Sequence, residues 1–99
     1  MEDIKKCYIR RIEEDAVWDK IEAEIFIILT KEDNEKVLKL NKTAGFLWEN
    51  CDGKKTVQQL LDELCLKYDV DETKAYEDAI KFIEQMQNLQ LLALSGSPL

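Results

Sequence analysis

Thiols and carboxylates are the reactive groups this chain has to offer. It holds cysteines at positions 7, 51 and 65, 21 acidic residues and no histidine. Without imidazole, the usual general base near neutral pH is missing. No nucleophile stands at a useful spacing from a base, and there is no glycine-rich phosphate loop. The cysteines form no C-x-x-C pair, which is not the spacing of zinc ligands. An odd number of such thiols reads as reduced cysteine, with no metal and no cofactor expected. Cys65 falls on an apolar helical stripe and is expected in the core. Cys7 and Cys51 lie nearer element ends, where exposure is open to them. What remains for this chain is recognition rather than catalysis.

Composition narrows the partner. At 99 residues, 45% hydrophobic and 35% charged, the chain is one ordinary globular domain. No apolar run approaches the roughly 20 residues that span a bilayer, so no membrane partner is expected. The start, MEDIKKCYIRR, lacks the apolar stretch of a signal peptide, and the expected location is the cytoplasm. A net charge of −7, with 14 basic residues against 21 acidic ones, disfavours nucleic acid, whose phosphates attract basic faces. Peptide or protein partners fit better.

These side chains need elements to place them. Val17-Trp18 and Ile21 suggest a first strand, and AEIFIILT (23–30) a second, β-branched and aromatic. After a polar turn at Lys31-Glu32-Asp33-Asn34, a third strand runs from Glu35 to Leu40. The second strand is apolar on both faces, Ile25/Ile27/Leu29 and Phe26/Ile28. It should therefore be central, its outer face covered by the N-terminal segment or another chain. Trp18 is a candidate for that cover, or for docking a second subunit.

Three helices follow. Asn41 caps a first helix ending near Cys51, with Asp52-Gly53 as the stop. Thr56 and Gln59 form a capping box for a second, with Leu60, Leu61, Leu64, Cys65 and Tyr68 at helical spacing. Asp71 caps a third, with Val70 and Ala75 as its hydrophobic staple and Ala75, Ala79, Phe82, Ile83 and Met86 as its inward stripe. The expected fold class is α+β, a winged helix-turn-helix-like body of a three-stranded antiparallel sheet followed by three helices. Residues 1–15 form an N-terminal segment, 16–92 the domain and 93–99 a flexible tail.

In a simple meander the third strand lies at the sheet's edge, with backbone groups unpaired on one side. Its charged guards are Lys36 and Lys39, and no proline interrupts it. If the third helix flanks this edge, the two make a groove in which an extended peptide adds as a strand. The alternatives are that the chain's own termini cover the edge, or that it is solvated.

Several short motifs in order resemble the PqqD-like proteins, named for a small protein of pyrroloquinoline quinone biosynthesis. They are L-N-x-T-A-x-x-x-W-x-x-x-D-G (40–53), T-V-x-x-L (56–60), Tyr68-Asp69-Val70-Asp71, and E-D-A-x-x-F-I (77–83). The likeness covers about residues 16 to 92. It implies a non-catalytic peptide chaperone, the recognition element of pathways that modify ribosomally made peptides. Such proteins bind the leader of a precursor peptide and present it to a modifying enzyme, often a radical S-adenosylmethionine (SAM) maturase. Carried over here, the leader pairs with Lys36, Val37, Leu38, Lys39 and Leu40, and packs toward Lys74, Asp78, Phe82 and Gln85 on the third helix. At Gln90 the chain departs from the family's usual glycine, which puts in question the path of Leu91-Leu92.

Two rivals stand beside that reading. A winged-helix DNA-binding regulator shares the fold, but 57–68 holds one lysine and two acids, a poor recognition helix. A homodimer through the apolar second strand is also open.

Overall fold

The computed structural model describes residues 4–30 and 36–97. The turn expected at 31–34, the start of the third strand at Glu35 and the last two residues lie outside them. After a short 3-10 helix at Ile4–Lys6, the order is β1 (Tyr8–Arg11), β2 (Ala16–Ile21), β3 (Glu24–Leu29), β4 (Lys36–Leu40), α1 (Lys42–Asn50), β5 (Asp52–Thr56), α2 (Val57–Lys67), α3 (Glu72–Asn88) and β6 (Leu92–Ser95). The α+β expectation holds, with a three-stranded antiparallel sheet in the order β2-β3-β4 and three helices. The structure adds a second three-stranded sheet, β5-β1-β6.

The second sheet corrects two expectations. Residues placed outside the domain, in the N-terminal segment and the tail, form β1 and β6, which pair antiparallel from Tyr8↔Ser95 to Arg11↔Leu92. The expected stop at Asp52-Gly53 does end α1, and Gly53 has a φ of 85°, a left-handed backbone suited to glycine. The chain then continues as β5 along β1. The N-terminal segment therefore does not cover the outer face of β3. There Val17, Ile28 and Val37 stand in one row across three strands, with Val17 and Val37 exposed.

Alternation in the first sheet fixes what faces the helices. Trp18, Ile27 and Leu38 form one inward row, and Lys20, Ile25 and Leu40 the next. Trp18 thus lies on the core side, its ring 6.3 Å from that of Trp48 and edge-on to it. Trp48 itself is fully buried. Gly45 brings α1 close to β3, since a Cβ there would sit 3.2 Å from Ile25 Cγ1. The core merges Ile25, Ile27 and Leu40 with Leu47, Leu60, Leu64, Ile83, Met86 and the β1 residue Ile9. Both sheets and all three helices therefore share one apolar interior.

The helix ends follow the chain's own signals. The Asn41 side chain accepts from Ala44 N, Thr56 and Gln59 form the capping box, and Asp71 accepts from Thr73 N. Arg11 ties the second sheet to the first helix, donating from Nη1 to the carbonyls of Trp48 at 2.7 Å and Glu49 at 2.8 Å. A guanidinium at those orphan carbonyls also meets the negative end of the helix dipole. Gln90 answers the question its sequence raised. With φ 61° it takes the left-handed position past α3, while Leu91 N donates to Met86 O at 2.8 Å and Gln90 N to Gln87 O at 3.0 Å. This is a Schellman ending built without glycine, and it delivers Leu91 and Leu92 into the core.

Candidate peptide-binding edge

Strand β4 pairs with β3 from Leu29↔Lys36 to Ile25↔Leu40, and among the described residues no other strand joins it. The termini, the self-made cover considered for this edge, are used up in the second sheet, where β6 pairs with β1. Along one side β4 therefore presents backbone donors and acceptors that no described strand satisfies. Such groups accept a new strand readily.

The side chains of β4 divide cleanly. Lys36, Leu38 and Leu40 share the side facing the helices, and Val37 and Lys39 the outer side. Leu40 is buried, Leu38 half-buried against the core, and the other three are exposed. Lys39 pairs with Glu24 on the neighbouring strand at 3.1 Å, with both side chains about half exposed. Lys36 has no ion pair among the described residues.

On α3 the four candidates fall on one flank of the helix, at 74, 78, 82 and 85, next to the inward stripe. Lys74 and Gln85 are exposed and Asp78 half-buried. Phe82 is only 5% exposed and belongs to the same core cluster as Leu40. It is packed into the core more than it lines an open surface. The opposite flank of α3 is already engaged, with Lys5 Nζ 4.3 Å above the Tyr76 ring. Lys81, not singled out from the sequence, stands one turn from Asp78 and two from Lys74 on the candidate flank; its i+7 spacing from Lys74 was the available signal.

At the Leu40 end of β4 an open cavity of about 400 Å³ lies between the β2–β3 turn and the start of α1. Lys20, Lys39, Lys42, Glu24, Glu49 and Tyr68 are among its walls. Lys20 reaches Glu49 at 3.2 Å, and Lys42 Nζ lies 4.8 Å above the Tyr68 ring. Sequence reasoning missed this site, because the turn that brings Lys20 and Glu24 to it carries no glycine or asparagine.

The thiols reverse their expected order. Cys7 and Cys51 are buried and Cys65 is half-buried. Cys51 donates Sγ–H to Trp48 O at 3.1 Å. Burial pushes its thiol up to about 12, against a smaller downward pull from Arg11. This cysteine is a structural group, not a nucleophile. Among the described residues no cluster of histidine, cysteine and carboxylate side chains is placed to hold a metal, and no helix is long and apolar enough to cross a membrane.

Comparison with known proteins agrees with this architecture. The family described as Coenzyme PQQ synthesis protein D (PqqD) matches residues 27–92, from β3 to the start of β6. No curated protein sequence matches the chain. Among solved structures, one described as TbiB1 in complex with the TbiA(beta) leader peptide superposes with a TM-score of 0.67. It is 21% identical in sequence, over 83% of this chain and 93% of that one. At that identity the match speaks to the fold.

Proposed function

Since this chain belongs to the PqqD family, we propose that it is a non-catalytic peptide chaperone. It binds the leader of a ribosomally synthesised precursor as an added strand on β4, and presents the precursor to a modifying enzyme, a radical SAM maturase. The observation that carries this reading is the open side of β4, left unpaired by every described strand. Main-chain pairing supplies affinity there, and side-chain pockets supply selectivity. Lys36 to Leu40 are the pairing strand, while Lys74, Asp78, Phe82 and Gln85 form the wall the leader packs toward. The structurally similar TbiB1 was solved with a leader peptide bound, which supports the same use here.

Titrating the ¹⁵N-labelled protein with leader peptides translated from short reading frames beside its gene tests the proposal. Amides of β4 and of the Lys74–Gln85 flank should shift and saturate together. Shifts confined to other elements, or none with any such peptide, refute it. The DNA-binding alternative finds less support: α2 carries Lys67 against Asp62 and Glu63, in a chain of net charge −7.

A further inference from the structure

Charge is unevenly distributed over this acidic chain. Residues 36–48, from β4 through most of α1, contain Lys36, Lys39 and Lys42 and no carboxylate, although the whole chain has a net charge of −7. The three lysines follow the open edge from end to end. Lys36 stands at one end of β4 on the helix-facing side, Lys39 on the outer side, and Lys42 just past Leu40 at the first turn of α1. Lys39 and Lys42 then meet Lys20 in the cavity at the end of the strand. The first turn of α1 carries no acidic residue of its own and is capped by the neutral Asn41 side chain, so no carboxylate of this chain offsets the positive end of its dipole there.

From this placement we infer that the segment accepted by β4 is an acidic peptide, whose carboxylates pair with Lys36, Lys39 and Lys42. The inference rests on the strand-addition reading and narrows it to a chemical class. An added strand puts alternate side chains on each face. A carboxylate on its outer face then stands within reach of Lys39, and one on the inner face within reach of Lys36. A third, beyond the Leu40 end, enters the cavity beside Lys42. The present partners do not prevent this. The Lys39–Glu24 and Lys20–Glu49 pairs are exposed contacts of 3.1 and 3.2 Å, of a kind that exchanges partners at little cost.

The test uses the intact protein and a display library of random dodecapeptides. Selected peptides are sequenced, and the most enriched is titrated against ¹⁵N-labelled protein and against K36Q/K39Q/K42Q, whose exposed substitutions leave the fold intact by circular dichroism. The inference expects enrichment in Asp and Glu, shifts at β4, and about tenfold weaker binding to the triple variant, in keeping with surface charge pairs. Enrichment of neutral or basic peptides that still shift β4 overturns the acidic class and leaves strand addition standing. Equal affinity of the two proteins for an acidic peptide does the same. No enrichment, or shifts away from β4, overturns both.

Discussion

Single residues in this chain are held in two kinds of constraint, buried chemistry and backbone strain. Cys51 illustrates the first. Its thiol is neutral in the fold, with a pKa raised from 9.0 to about 12 by burial. The unfolded chain therefore loses this proton first as pH rises. Stability from this group is full below pH 9 and falls between pH 9 and about 12. Urea unfolding at pH 8 and pH 10.5 should show that decline, and Cys51→Ala should flatten it even though the cavity lowers stability at both. At pH 8 a thiol reagent should label Cys65 well before Cys7 or Cys51. Strain appears at Glu22, Ala23 and Gln90, with φ of 52°, 69° and 61°. A left-handed backbone costs a non-glycine residue about 1 kcal/mol. Ala23→Gly and Gln90→Gly should each raise stability by about that much, measured as a shift in the urea midpoint. The same three residues show where local signals fall silent. The β2–β3 turn uses Glu-Ala where Asn-Gly would have announced a hairpin, so the first strand could be read only weakly.

At the scale of elements, the legible parts were those with a period and a cap. The β3 run and the three helices announced themselves through β-branched residues, helical stripes and the caps Asn41, Thr56 and Asp71. The missed strands have neither signal. YIRR, DGKKT and LALS are four or five residues long, and the middle one has the composition of a turn. They become strands because distant segments pair, with Tyr8 opposite both Thr56 and Ser95. No window of sequence displays that. The same limit applied to the edge: β4 could be read as a strand, but its openness depended on where the termini went. The α3 flank separates packing from binding. Phe82→Ala should cost about 3–5 kcal/mol of stability, as for a buried aromatic, and is a poor probe of peptide contact. Asp78→Ala and Gln85→Ala should leave the unfolding midpoint within about 0.5 kcal/mol and weaken peptide binding, by calorimetric titration.

For the molecule as a whole, one sheet closes the termini and the other keeps a border. Ile9 binds β1 into the common core, and β1 pairs with both β5 and β6, so trimming the chain to 16–92 should destabilise it rather than remove loose ends. The open border and the lysines along it then define one direction for recognition. A gel shift with random duplex DNA at low salt should show no complex. Hydrogen exchange of the β4 amides tests the central claim most directly. In the free protein, the amides of Lys36–Leu40 that point away from β3 should exchange as fast as unpaired backbone, and those bonded to β3 slowly. Saturation with a leader peptide should bring the fast set to the protection of the slow one. Outward amides already protected in the free chain, or still fast in the saturated complex, would contradict strand addition at β4.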